Sequence, residues 1–378
     1  MRKLIVGMAA AVLLAPFTVQ GQARAFLVRL GNDTVAIERF EQRGNHIEGS
    51  ILRHFPQTNI LKYTIHLNDD GTVAWYQQSV TRADGSPPPN APTTPLKITF
   101  TGDSVLREVV QQGQPVTLRA AAPKGTLAVI PNSQLYAEFV IRAAKAGAVN
   151  SIGVNPQQAA PSPLTVKLVG SDSAEIIAGG FRTGFKLNAS GQVIRADGTL
   201  TTQKFIATPI ASADIAAIAT AWAAKDASGA AMGAMSTRDT VVATVGGANI
   251  WIDYGRPAKR GRKIWGALVP FDTTWRLGAN SATQFRTDKD LEIGGVTVPA
   301  GTYTLFLFPT ATQTYLIVNS QTGQWGTVYD STKNVARIPV EAHMSLPAEE
   351  ERFRIFVQGD QLMMHWDRGG YGVKLKAK

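Results

Sequence analysis

Side-chain alternation constrains this chain most. In ILKYTIHLNDDGTVAWYQQSV (residues 60–80), Tyr63, Ile65 and Leu67 alternate with Thr64 and His66, and Asp69-Asp70-Gly71 then turns the chain. A period of two sends successive side chains to opposite faces, which is the signature of a strand with one face buried. FLVRLGNDTVAIERF and RGNHIEGSILRHF repeat the pattern, with turn residues Gly31-Asn32-Asp33 and Arg43-Gly44-Asn45. The run DGSPPPN (residues 84–90) is a loop, because consecutive prolines cannot donate to a ladder. The expected fold is mainly β: an N-terminal antiparallel curved sheet or half-barrel with one or two helices, followed by a C-terminal β-sandwich.

The two helices have their own signals. In residues 131–146, Leu135, Phe139 and Arg142 keep helical spacing, Glu138 and Arg142 stand as an i,i+4 pair, and Gly147 suits a C-cap. In residues 212–226, Ser212 is the expected cap, and Ile215, Ile218, Ala219 and Trp222 form one stripe. The small-residue run ASGAAMGAMST then reads as a linker. The expected division is therefore a signal peptide at 1–25, a β-rich domain at 26–226, a linker at 227–238 and a second β-domain at 239–378.

The first residues resemble an export signal. Arg2 and Lys3 precede an apolar run of 14 residues, Leu4 to Phe17, and the sequence then reaches the A-x-A-like Ala23-Arg24-Ala25. That run is short of the roughly 20 residues that span a bilayer, so cleavage is expected between 21 and 26, with no transmembrane segment remaining. The chain has no cysteine, which removes disulfides, thiol catalysis and Cys-ligated metals. Together these features place the protein in the periplasm, or secreted from a bacterial cell.

Charge argues against a nucleic-acid partner. Residues 25–238 carry 19 Lys+Arg against 15 Asp+Glu, and residues 239–378 carry 16 against 13, so the excess is small and even. The local exception is YGRPAKRGRKIW, where Arg256, Lys259, Arg260, Arg262 and Lys263 fall within eight residues. Gly255, Pro257 and Gly261 break this run into a connection between two strand candidates, ANIWIDYGRP and KIWGALVP. Further on, TYTLFLFP reads as a central strand buried on both sides, and TYLIVNSQTGQWGTVYD and ERFRIFVQGDQLMMHWD read as hairpins.

The words YGRPAKRGRKIWGALVPFDTTWRLGANSAT, IGGVTVPAGTYTLFLFP and NSQTGQWGT, in that order, resemble the bacterial domain-of-unknown-function family 2911 over about residues 239–378. The resemblance implies an all-β domain behind a signal peptide. It supplies no catalytic residues, since the family has no established activity.

The motifs of common chemistries are missing. There is no GxSxG, P-loop, GxGxxG, HxH or HExxH, and Gly102-Asp103-Ser104 reads as a hairpin turn. No cofactor and no metal are expected. The residue set best suited to a ligand is Tyr254, Arg256, Trp265, Trp275, Arg276 and Asn280, which combines stacking faces with oriented donors. The functional expectation is thus an exported, non-enzymatic protein that binds an envelope or extracellular glycan, lipid or small polar molecule. Two alternatives stand beside it: a carrier of an apolar ligand in the N-terminal half-barrel, and a hydrolase using carboxylates around Asp253 and Asp272.

Overall fold

The computed structural model describes residues 22–89, 91, 94–111, 113–153, 160–178, 181–198 and 204–378. Most of the expected signal segment lies outside them. The first sheet contains β1 (Gln22–Leu30), β2 (Asp33–Arg43), β3 (His46–Arg53), β4 (Asn59–Leu67), β5 (Val73–Thr81), β6 (Leu96–Thr101), β7 (Ser104–Gln111), β8 (Gln114–Ala121), β9 (Leu127–Ala128), β10 (Val149–Ile152), β11 (Ser162–Val169), β12 (Ser173–Ala178), β13 (Phe181–Leu187), β14 (Val193–Asp197) and β15 (Ile206–Ile210). Their spatial order is two meanders joined where β1 pairs β15, and the β9–β10 pair is parallel while the others are antiparallel.

Helix α1 (Gln134–Ala144) lies inside the curve of this sheet, and helix α2 (Ile215–Ala227) lies outside it. Leu135, Phe139, Val140 and Ile141 of α1 join one apolar cluster with Phe26, Ile47, Tyr63, Tyr76 and Val193. On the opposite face, Leu52 and Ile60 meet the α2 stripe of Ile215, Ile218, Ala219 and Trp222. Asp214, not Ser212, caps α2 by accepting from Ala217 N. Ser212 stands too far ahead of the first turn to reach its amides.

Polar anchors fix α1 in place. Glu138 is not paired with Arg142. It takes a bidentate pair from Arg24 at 2.7 and 2.8 Å and also accepts from Val193 N at 2.7 Å. The buried face of α1 offers Glu138 to β1 and β14, whereas Arg142 is drawn over the Phe139 ring. Arg24, expected from sequence to stand beside an export signal, is thus a working residue of β1. At the start of α1, buried Glu38 accepts from Tyr63 Oη (2.9 Å), Gln134 N (2.6 Å) and Ser133 Oγ. Tyr63 reaches Glu38 by lying across Gly49, its partner on β3, where a Cβ would sit 2.1 Å from the ring.

The second sheet runs through β16 (Ser236–Val245), β17 (Ala248–Pro257), β18 (Thr283–Thr287), β19 (Leu291–Ile293), β20 (Val296–Val298), β21 (Gly301–Pro309), β22 (Thr314–Asn319), β23 (Asn334–His343), β24 (Glu350–Gln358), β25 (Gln361–Asp367) and β26 (Gly369–Ala377). The order is β16-β17-β18-β21-β22-β23-β26-β19-β20, with the β24–β25 hairpin branching from β26. The sheet curls until its ends nearly meet, so the two layers facing each other across the core belong to one sheet. β21 is the expected doubly covered strand: Leu305 and Leu307 face the main core, and Phe306 packs outside with Ala282 and Ile317.

Two expected strands do not form. KIWGALVP belongs to the connection from Ala258 to Ala282, where the pairing among the described residues is confined to isolated bridges at Ala258–Arg352, Trp265–Val269, Trp275–Leu307 and Ser281–Trp325. The second arm of the hairpin after Asn319 is likewise irregular, because Trp325 pairs with Ser281 instead of folding back on β22. Loops of this length without regular structure are uncommon in compact domains and usually carry function.

Burial outweighs the three donors around Glu38 and pushes its carboxyl up to about 7. The folded state then holds a proton that the unfolded chain releases near the ordinary carboxylate value, so stability falls as pH rises from about 4.5 to about 7. The expected loss is on the order of 3 kcal/mol. Thermal melts should show a midpoint that drops between pH 5 and 7.5 in the wild type, with that drop removed in Glu38→Gln. Parallel pH profiles in the two proteins would contradict this account.

Candidate functional site

Two turns hold the sheets together. The β1–β2 turn and the turn after β17 fit into one another: Asn32 N donates to Arg260 O at 3.0 Å, and Arg260 Nη1 pairs with Asp33. Each turn needs a glycine for this fit. A Cβ on Gly31 would lie 2.1 Å from Arg260 O, and one on Gly261 would lie 2.1 Å from Asn32 Nδ2. Both glycines also have left-handed backbone, at φ 63° and 68°.

The expected cationic run is largely consumed by such contacts. Lys259 bridges Glu349 at 2.9 Å and Asp367 at 2.7 Å. Arg262 caps its own turn by donating to Lys259 O and Ala258 O. Arg256 pairs with Asp239 at 3.1 Å and donates to Phe353 O. Arg256 is therefore a structural tie rather than part of an open rim.

Above the interlocked turns lies a cleft of about 920 Å³, walled by both sheets and by the start of β16. Leu30, Phe55, Pro56 and Lys204 come from the first sheet and its loops; Trp275, Arg276, Asn280, Phe306, Trp325 and Tyr329 come from the second part. This volume is in the range of small-molecule sites. Of the six residues expected from sequence, Trp275, Arg276 and Asn280 line the cleft. Tyr254 does not. It is fully buried, stacks edge-on against Phe353, and exchanges hydrogen bonds with Ile355 N and O. The alternation of β17 sends Tyr254 inward with Ile250 and Ile252, a parity visible in ANIWIDY. Trp265 also packs against the core, donating Nε1 to Trp366 O and meeting Tyr371 and Trp275 edge-on.

Arg276 is the chemically unusual lining residue. Its Nε donates weakly to Gly278 O at 3.4 Å, while its Nη1 is buried without a partner. Its stem lies against Gly326, where a Cβ would be 2.1 Å from Arg276 Cδ. Burial pulls the guanidinium below its usual range. Trp275 stacks parallel to Trp366 with centroids 5.9 Å apart, which fixes the aromatic wall beside Arg276. The loop carrying these groups is strained: Leu277 and Asn280 have φ of 48° and 63°. Such strain persists where the surroundings over-determine the backbone, as at ligand clamps.

Sequence reasoning missed Trp325, Tyr329, Phe306, Lys204 and Arg262 as lining residues. Trp325 stood within NSQTGQWGT, but treating that stretch as a hairpin hid its position. Asp253 is committed to Arg238 at 2.6 Å, and neither Asp253 nor Asp272 lines the cleft. Gly102-Asp103-Ser104 forms the β6–β7 turn, with Ser104 accepting from Arg119. Among the described residues, no group of three or more His, Asp or Glu side chains is placed to hold a metal, and no helix is long and apolar enough to cross a membrane.

The fold and the cleft define a two-sheet β protein with an aromatic pocket at the junction that Arg276, Lys204 and Arg262 also line. Residues 236–375 match the family described as "Protein of unknown function (DUF2911)", which covers the second sheet. No curated protein and no solved structure matches the chain.

The turn–turn contact can be tested against a turn of the same backbone class. Gly44 has φ 58° and open space around its missing Cβ, so Gly44→Ala meets only the left-handed penalty of about 1–2 kcal/mol. Gly31→Ala adds the collision with Arg260 O and should cost about 3 kcal/mol in denaturant unfolding. Equal losses would show that the contact contributes nothing.

Proposed function

We propose that the protein is an exported, non-enzymatic binding protein whose junctional cleft holds a small organic anion with an aromatic or aliphatic body. The observation that carries this reading is the buried, unpartnered Nη1 of Arg276 in an aromatic surround. A buried guanidinium nitrogen without an acceptor is costly, and a carboxylate, sulfonate or phosphate ester on a ligand supplies that acceptor in charge-assisted form. Trp275, Trp325, Phe306 and Tyr329 supply faces for the ligand's body. The Arg2–Lys3 start, the apolar run behind it and the lack of cysteine support export to the periplasm or beyond.

Binding is favoured over turnover because the cleft offers cationic anchors and aromatic walls, while Asp253 and Asp272, the carboxylates of the hydrolase alternative, sit off it. The carrier alternative meets a filled interior, since α1 occupies the inner face of the first sheet and shares its core.

Anilinonaphthalene sulfonate, a fluorescent aromatic anion, matches this chemistry and serves as the probe. It should bind the folded protein at one saturable site with a blue-shifted emission. Arg276→Ala should weaken that binding by about tenfold or more. Arg337→Ala removes a cation that lies outside the cleft, over Phe308 and Tyr315, and should leave affinity unchanged. Unchanged affinity in Arg276→Ala would defeat the reading.

A further inference from the structure

A second feature lies on the outer face of the second sheet, away from the cleft. β26 runs between β23 and β25, and its register sets Gly370 directly between His343 and His365. One step along the same face, Gly372 sits between Glu341 and Met363. All these positions point outward, because their neighbours Val340, Leu362, Met364, Tyr371 and Val373 are in the core.

Neither Gly370 nor Gly372 has a backbone conformation that calls for glycine. Glycine weakens a strand interior and there marks a bend or a close approach. What the two glycines provide is a floor. A Cβ at Gly372 would lie 2.9 Å from His343 Nε2 and 3.0 Å from Met363 Sδ, so an imidazole nitrogen and a thioether converge over one point. A Cβ at Gly370 would lie 2.6 Å from His365 Cδ2, so the second imidazole leans over the same strand. His365 Nε2 is buried and has no hydrogen-bond partner. The Phe356 ring meets His365 edge-on at 5.0 Å and walls the cluster from the β24 side.

We propose that His343, His365 and Met363 form a copper-binding site on the glycine floor of β26. Two imidazoles and a thioether form a soft donor set, which selects Cu(I) over hard cations.

The test is a titration of the purified protein with Cu(I) against a chromophoric chelator such as bicinchoninate, beside a titration with Cu(II). Wild type should take up one equivalent of Cu(I). The double variant His343→Ala, His365→Ala should lose it, and Met363→Leu should weaken it by about tenfold or more while changing Cu(II) affinity far less. Wild-type Cu(I) affinity in the double variant, or in Met363→Leu, overturns the assignment. Met363→Leu conserves volume on a half-exposed face, so it decides the matter even if the double variant misfolds. Anilinonaphthalene sulfonate binding should be unaffected in Met363→Leu, which separates this site from the cleft.

Discussion

Arg260 joins the two sheets twice. Its carbonyl accepts from Asn32 N and its guanidinium meets Asp33, while Gly31 and Gly261 let the two turns approach at backbone distance. A side-chain ion pair alone would be a weak tie at a surface. Here the pair is backed by a main-chain hydrogen bond, and the Arg260 side chain is almost wholly buried. This contact ties the two sheets where the cleft opens between them, with Pro56 and Lys204 on one wall and Trp275 and Arg276 on the other.

Charge is used economically in this molecule. Arg24 is held by Glu138, Arg238 by Asp253, Arg256 by Asp239 and Lys259 by Glu349 and Asp367. Several arginines keep a buried nitrogen without a partner, Arg53, Arg260 and Arg352 among them, and Arg276 differs from these by its place: it lines the cleft beside Trp275. Two histidines, His54 and His365, keep a buried Nε2 without a partner; His54 stacks on Trp222, whereas His365 meets Phe356 edge-on and leans over Gly370.

The strands were legible because alternation is local. Tyr63, Ile65 and Leu67 declare their face within a few residues, and Asp69-Asp70-Gly71 declares the turn. The helices were legible from spacing, although their partners were not. Glu138 looked complete with Arg142 four residues on, and nothing in the sequence reveals that Arg24 on β1 arrives at the same carboxylate. The aromatic–cationic segment between residues 254 and 280 was recognisable as unusual, but its sorting into core and cleft depends on loop geometry. Tyr254 was a miss that parity could have prevented, since Ile250 and Ile252 share its face. Trp325 and the glycine floor were hidden for a different reason: each acquires meaning only when distant segments, β18 with the loop after β22, or β23 with β25 and β26, are laid side by side.

The segment shared with the recognised family starts at Ser236 and so contains Arg260 and Gly261 but not Gly31, Asn32 or Asp33. Only one turn of the interlock therefore lies in that segment. Because a Cβ on either Gly31 or Gly261 would come within 2.1 Å of the facing turn, the two turns fit as a matched pair, and altering one alone takes from the other the counterpart of a carbonyl or a guanidinium.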